Sequence, residues 1–217
     1  MSIGMSIGMS IGVSITVTPV LVADLGVEGE RMPVYAHVVD HPDARVLVDT
    51  GIRELHPLTV DLDPRLRPPD DWGIDLTSID IVVNTHLHFD HCGNNHLFAG
   101  TPIHVQRREL DDALTLNDYT IRDWVQASGV QYVPVDGELE LLPGMRLVPA
   151  PGHTRGSQII VIDTGDRPTV LAGDTAVWFG ELDEPRTEGQ RLVLDMAPEL
   201  VWLAHTHDPW RPGTVRE

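Results

Sequence analysis

The chain has 217 residues, and its 33 acidic and 15 basic residues give a formal net charge of −18. Such a negative surface repels polyanions, so neither nucleic acid nor an anionic membrane is an expected partner. All 15 basic residues are arginine, and without lysine the chain has no Schiff-base nucleophile and no phosphate-loop lysine. The single cysteine, Cys92, allows no internal disulfide, which agrees with a cytoplasmic location. We expect it to be a small buried apolar residue.

The first part of the chain predicts a short leader followed by strands. The start repeats one tetrapeptide, as MSIGMSIGMSIG, and we expect residues 1–16 to be a low-complexity leader to a single domain at 17–217. Residues 13–25 and 34–41 are rich in β-branched side chains and partly alternate, which predicts two strands. Residues 45–51, RVLVDTG, predict a short buried strand that ends at an aspartate and a glycine turn.

A long loop, two strands and a broken helix are predicted next. Residues 56–73 contain four prolines and many aspartates, so we expect a surface loop without regular structure. Residues 78–85 and 101–106 predict strands. Residues 107–129 have a helical apolar period that breaks near the middle and ends at a glycine.

The second half repeats this plan. Five short strand patterns run from 130 to 175 between glycines and prolines, a weak helix follows near 186–197, and an apolar strand is predicted at 200–208. Strands and then a helix, twice over, predict an α/β fold: a four-layer α/β/β/α sandwich of two mixed sheets.

One segment after the strand at 78–85 is crowded with metal-ligand side chains. It reads NTHLHFDHCGNNH and contains His86, His88, Asp90 and His91. His86 and His88 are two residues apart, so on an extended segment both imidazoles point to the same side. No structural role asks for such crowding, because the cluster would be costly to desolvate without a neutralising ligand. Histidine and aspartate together suit zinc, so this segment predicts part of two metal sites.

Further ligand candidates follow other strands. His153 lies in a glycine-bounded turn, and Asp174 follows a strand-ending glycine and could join two metals through its carboxylate. We expect His86, His88 and His153 to form a first site, and Asp90 and His91 to belong to a second site. His205 and His207 lie near the end of the last predicted strand, share a strand face, and are alternatives for the remaining ligand.

The other candidates have weaker signals. Asp49 could form a local turn, or it could orient a ligand imidazole from behind. His96 is more typical of a helix start or of a residue behind the ligands. The remaining histidines are expected to be surface or satisfied residues; they are His37, His41, His56 and His104.

Several motifs together resemble one family. THLHFDHCG, PGHTRGSQ, AGDT and HTHDP, preceded by VLVDTG, resemble the metallo-β-lactamase-fold hydrolases over nearly the whole chain from about residue 17. Within that superfamily, MPVYAHVVDHPDARVLVDTG and TPIHVQRRELDDAL are similar to N-acyl homoserine lactone lactonases. The family's last ligand lies in a His-Asp pair, so the resemblance selects His207, beside Asp208. The chain departs from those lactonases at Val177, where they commonly have a tyrosine that holds or polarises the substrate.

The resemblance implies a dinuclear metal-dependent hydrolase that opens lactone rings, as in quorum quenching. It implies two divalent metal ions, with zinc expected and iron, cobalt or manganese as alternatives. Asp90 or Asp174 would pass a proton to the leaving alkoxide. The expected partner is a small neutral lactone, with a monomer or homodimer as the assembly.

Other functions remain open. Asp174 argues against a true β-lactamase, because those enzymes usually lack that aspartate. A glyoxalase II-like thioesterase needs a basic patch for its anionic substrate, which this acidic chain disfavours. Another hydrolase of the same fold and a metal-binding module without catalysis are the remaining alternatives.

Overall fold

The computed structural model describes residues 15–213, and the strands of this part form two sheets. The first sheet contains β1 (Thr16–Val27), β2 (Glu30–His41), β3 (Ala44–Val48), β4 (Arg65–Leu66), β5 (Ile81–Val83), β6 (Pro102–Gln106) and β7 (Gln131–Val135). Its strand order is β4-β1-β2-β3-β5-β6-β7. The pairs from β4 to β3 are antiparallel and those from β3 to β7 are parallel, so the sheet is mixed.

The second sheet is also mixed. It contains β8 (Leu139–Leu142), β9 (Met145–Pro149), β10 (Gln158–Ile162), β11 (Thr169–Gly173) and β12 (Leu200–Leu203), in the order β12-β11-β10-β9-β8. β11 and β12 are parallel, whereas β10 is antiparallel to both of its neighbours. β9, β11 and β12 therefore run in the same direction, and their carboxyl ends meet at one edge.

Short helices join and cover the sheets. The α-helices of the described residues are α1 (Phe89–Cys92), α2 (Arg107–Thr115), α3 (Arg122–Val125), α4 (Gly180–Asp183) and α5 (Glu188–Asp195). α5 begins with a capping box, in which the Thr187 hydroxyl accepts from the backbone N–H of Gln190 and the Gln190 side chain accepts from that of Thr187. Helices of the 3-10 type lie at Pro57–Leu62, Pro69–Asp71, Leu76–Ser78 and Asn95–Phe98. No described helix is long and apolar enough to cross a bilayer.

Apolar side chains from both sheets form the central core. The residues of this inner layer include Val46, Val83, Met145, Leu147, Ile160 and Leu171. Burying each large apolar side chain contributes roughly 1.5–3 kcal/mol. Trp124 of α3 covers the outer face of the first sheet, and Val193 of α5 covers that of the second. The layers are therefore α/β/β/α, and the predicted fold is confirmed.

The predicted elements differ from the structure in several places. The segment 56–73 was expected to lack regular structure, but Pro57 and Pro69 each start a 3-10 helix, because proline favours the first position of a helix. The last strand ends at Leu203 instead of continuing to 208, and α4 was not predicted. The leader at 1–16 lies mostly outside the described residues, so it and the single domain at 17–217 stay predictions.

Candidate metal centre

Loops from both sheets meet at the edge where the strands end. β3 leads into Asp49, β5 leads through Thr85 into the histidine segment, and β11 leads into Asp174. Gly173, the last residue of β11, has φ +50°, and a Cβ atom there would lie 2.5 Å from Thr85 Oγ1. A side chain at position 173 would therefore hold the two loops apart.

The three imidazoles that the sequence assigns to a first site lie close together. His86 Nε2 lies 3.1 Å from His88 Nδ1, and His153 Nε2 lies 3.0 Å from the same atom. The ligand atoms of His86, His88 and His153 all lie within 4.8 Å of one another, which is close enough to hold one metal ion. His88 precedes the four-residue helix α1, and His153 lies in the turn after β9.

A second group lies beside the first. Asp90 and His91 on α1 converge with His205, and these three ligand atoms are also within 4.8 Å of one another. Asp174 adjoins both groups: its Oδ1 lies 3.3 Å from His91 Nε2 and 3.2 Å from His205 Nε2, and its Oδ2 lies 3.5 Å from His153 Nε2. One carboxylate thus contacts imidazoles of both groups.

The structure places His205, and not His207, beside the other candidate ligands. His205 is buried and its Nδ1 is 2.8 Å from the carbonyl of Pro33, which aims Nε2 at Asp174. His207 is exposed, and its Nδ1 is 2.9 Å from the hydroxyl of Tyr35. The physical reason is that β12 ends at Leu203, so the strand alternation assumed for 205 and 207 does not apply.

The ligand set fits a divalent metal ion. Buried polar groups normally have hydrogen-bond partners, yet His91 Nε2 and Asp174 Oδ1 make no hydrogen bond within residues 15–213, although they face each other. Imidazole nitrogens and carboxylate oxygens suit zinc, manganese, iron and cobalt. A shared cation would satisfy both atoms.

Neutral imidazoles are favoured in the first group. Burial, and then the nearby His91 and His88 rings, hold the pKa of His86 well below its usual value. Burial, and then His153, lower the pKa of His88 to about 4. Both rings are therefore neutral at neutral pH, which is the form that binds metal.

The second group has the opposite electrostatics. Burial alone would lower the pKa of His91, but the carboxylates of Asp174, Asp49 and Asp90 outweigh burial and raise it well above its usual value. Asp174 likewise raises the pKa of His205 against burial. His205 and His91 in turn hold the pKa of Asp174 well below its usual range, although burial opposes this. A divalent cation would replace protons on these imidazoles and neutralise the same carboxylates.

Asp49 orients one ligand candidate, which decides between the two roles that the sequence allows. Its Oδ2 lies 2.8 Å from His91 Nδ1 and accepts from the Thr85 hydroxyl, and its Oδ1 accepts from the Thr85 backbone N–H at 2.8 Å. Asp49 has φ +61°, a conformation that aspartate tolerates better than most residues. The carboxylate therefore fixes the His91 ring with Nε2 towards Asp174.

The other histidines of the described residues lie outside both groups. His41 is buried and satisfied, because its Nε2 is 3.0 Å from the Pro143 carbonyl. His56 caps a 3-10 helix, and His96 lies in another. His37 is buried without a hydrogen bond at Nε2 among the described residues, and burial lowers its pKa to about 3. His104 Nδ1 is likewise buried and unbonded in this part of the chain.

Cys92 has the structural role that the sequence favours. It is fully buried in an apolar cluster, and burial raises the pKa of its thiol. A protonated, buried thiol is a poor nucleophile and a poor metal ligand.

Two residues beside the site were missed by sequence reasoning. Glu109, fully buried on α2, accepts hydrogen bonds from the Leu87 backbone and from Tyr119. The Tyr119 ring centroid lies 5.3 Å from that of His88. A glutamate in the first turn of a helix is usually exposed, so the sequence gives little indication that Glu109 is buried. Only its place in the RREL segment could have drawn attention to it.

Clefts open next to the first group. One cavity of about 370 Å³ is lined by His88, Phe89, Tyr119 and Leu58, and another of about 480 Å³ is lined by His153 and Tyr119. Leu58 is 73% exposed, and Leu55 and Val60 are exposed beside it. Apolar surface therefore borders the histidines, and exposed apolar patches often mark binding sites.

The fold and this histidine–aspartate site define the class of protein. The family model described as the metallo-beta-lactamase superfamily matches residues 29–208, so the chain belongs to that superfamily. This confirms the family resemblance of the motifs.

Known relatives narrow the similarity further. The chain is 29% identical over 157 residues to the N-acyl homoserine lactonase AiiA of Bacillus thuringiensis subsp. kurstaki, and this match covers 64% of the chain and 62% of the lactonase. The chain thus spans less than two thirds of the length of that relative. It is 28% identical to a probable metallo-hydrolase of Mycobacterium tuberculosis, with 79% of this chain and 70% of the relative covered.

Solved structures support the fold. An N-acyl homoserine lactone hydrolase, with the product N-hexanoyl-L-homoserine at its catalytic metal centre, superimposes with a TM-score of 0.73 at 24% identity. This match covers 90% of the chain and 94% of that structure. A putative metallo-beta-lactamase from Thermotoga maritima has a TM-score of 0.68 at 19% identity, covering 92% and 100%.

Proposed function

We propose that this protein is a metal-dependent hydrolase that opens lactone rings, N-acyl homoserine lactones among them. The observation that carries the proposal is the pair of adjacent ligand groups with Asp174 in contact with both. The similarity to N-acyl homoserine lactonases supports the lactone as substrate class. Quorum quenching is the process in which such an activity would act.

Seven side chains are proposed to hold two divalent cations, with zinc as the first choice. His86, His88 and His153 form one set, Asp90, His91 and His205 form the other, and Asp174 is shared. Bound in this way, such cations would acidify a water molecule and polarise an ester carbonyl. No serine or cysteine nucleophile is needed, which agrees with the inert, buried thiol of Cys92.

The chain's own residues supply the proton transfer. When water opens a lactone, the attacking water loses a proton and the released alkoxide must gain one. Asp90 and Asp174 are the carboxylates among the candidate ligands, and both are buried next to His205, with Oδ2 of Asp90 3.5 Å from its Nε2. We assign the transfer of this proton to one of these two aspartates.

Substrate choice follows from charge and from the clefts. A chain with a net charge of −18 attracts no anionic substrate and repels a carboxylate product, so a neutral lactone is favoured. The apolar residues around Leu58 suit an acyl chain. Val177 has no hydroxyl to hold the substrate, and its backbone N–H donates to Glu181. We therefore expect activity on a broad range of lactones, including simple γ-lactones.

A substrate panel tests this function. The value of kcat/KM is measured on one zinc-loaded preparation for a homoserine lactone, a plain γ-lactone, a glutathione thioester and a β-lactam. We expect both lactones to be hydrolysed faster than the other two substrates. A tenfold preference for the thioester or the β-lactam would refute the lactonase proposal and leave only the hydrolase class. Binding of zinc without turnover of any substrate would favour a metal-binding module.

A further inference from the structure

A buried carboxylate connects the two loops that carry the first histidine group. Glu109, the third residue of α2, has no exposed surface, and no arginine or histidine of the described chain forms an ion pair with it. A buried charge without an ionic partner is costly unless hydrogen bonds satisfy it. The hydrogen-bond partners of Glu109 therefore decide whether its side chain can be buried at low cost.

The hydrogen-bond partners of Glu109 lie next to candidate metal ligands. Oε1 accepts from the backbone N–H of Leu87 at 2.8 Å, and Leu87 stands between His86 and His88. Oε2 accepts from the Thr154 hydroxyl at 2.7 Å, and Thr154 directly follows His153. One carboxylate thus bonds both segments that supply the three imidazoles.

Close packing reinforces the second of these contacts. A Cβ atom at Gly156 would lie 2.3 Å from the backbone nitrogen of Glu109, so the turn containing His153 rests directly on the start of α2. Thr154 is further fixed by Ser157, whose hydroxyl accepts from the Thr154 backbone N–H at 3.1 Å. The turn that contains His153 is therefore held in place by its contacts with Glu109 and Ser157.

We propose that Glu109 is a positioning residue for the first metal site: by bonding Leu87 and Thr154 together it sets the spacing of His86, His88 and His153. The inference rests on the proposed metal-dependent function. Glu109 acts through the two loops and touches neither the cation nor the substrate. Residues that orient metal ligands typically change metal affinity by roughly ten- to hundredfold when they are replaced.

The test compares zinc affinity among variants, measured by competition with a chromophoric chelator. Glu109→Leu removes both acceptors, and we expect one of two zinc ions to bind roughly ten- to hundredfold more weakly. In Glu109→Gln, the amide oxygen can still accept from Leu87 and the amide group can donate to Thr154, so affinity should stay near that of the wild type. Thr154→Val releases only the His153 loop, and we expect an intermediate loss.

Two controls separate positioning from stability. Tyr119→Phe removes the third donor to Glu109, which bonds at 2.6 Å, without releasing either loop, so both zinc ions should bind normally. His41→Leu removes a buried hydrogen bond to Pro143 at the opposite end of the strands, and should lower thermal stability without changing zinc affinity. A residue with a structural role alone would behave like His41.

Two results would overturn the inference. The first is a folded Glu109→Leu protein that binds both zinc ions within threefold of the wild type. If circular dichroism shows that this variant does not fold, Thr154→Val decides in its place, and wild-type affinity in it refutes the role of Glu109. A wild-type protein that binds two zinc ions but hydrolyses no lactone refutes the proposed function and leaves the positioning role intact.

Discussion

Replacing His205 by alanine tests the proposal that His205, and not His207, completes the second set of metal ligands. His205 Nε2 lies 3.2 Å from Asp174 Oδ1 and 3.5 Å from Asp90 Oδ2, so its loss removes a neighbour of both carboxylates. Replacing a residue that only orients a metal ligand typically lowers metal affinity roughly ten- to hundredfold. At about 1.4 kcal/mol per power of ten, this corresponds to about 1.4–2.8 kcal/mol. His205 is itself a candidate ligand, so this loss of zinc affinity is a lower bound for His205→Ala.

His207→Ala is the matched control, because it removes the same side chain two residues away. His207 is exposed and contacts the Tyr35 hydroxyl, so we expect zinc affinity and lactone kcat/KM within about threefold of the wild type, in line with most surface substitutions. Both variants are compared by elemental analysis after dialysis, chelator competition and lactone turnover. If His207→Ala loses the metal and His205→Ala keeps it, the assignment made from the structure is refuted.

Three further predictions concern the same centre. His88→Ala should abolish lactone turnover and lower the zinc content below two per chain while far-UV circular dichroism is unchanged; near wild-type turnover would remove His88 from the site. Val177→Tyr should raise kcat/KM for homoserine lactones by about one to two powers of ten, because a hydrogen bond to a reacting oxygen is worth about 1–3 kcal/mol. An unchanged kcat/KM would show that position 177 does not contact the substrate. Chelation of the metal should lower the Tm by about 5–10 °C. Zinc at a hundred times its Kd stabilises the folded state by about 2.7 kcal/mol, and each kcal/mol raises the Tm by about 2–4 °C for a chain of this size. Equal Tm values with and without chelator would contradict stabilisation of the folded state by metal.

Much of the fold was predictable because its signals are local. The strands at 34–41 and 101–106 alternate or run apolar, and the helix break between 107 and 129 appears as α2 and α3. The segment 56–73 was harder to interpret. Proline rules out long helices and central strands, but it also starts short 3-10 helices, as at Pro57, and sequence patterns seldom distinguish such helices from loops.

The sequence by itself determined the chemistry of the candidate site. His86, His88, Asp90 and His91 lie within six residues, so their proximity needs only a turn, and their side chains already specify nitrogen and oxygen ligands. His153 and Asp174 were found because each follows a strand pattern and adjoins a glycine. These features are written into short segments.

Only the tertiary structure decided which distant residues join that segment. The choice of His205 over His207 depends on where β12 ends and on the Pro33 carbonyl from the other sheet, 172 residues away. Asp49 contacts His91 across 42 residues, and Glu109 contacts Thr154 across 45. Such contacts arise where the strand ends of two sheets meet. No local sequence pattern predicts them, because the position of each partner is fixed by packing of the whole core.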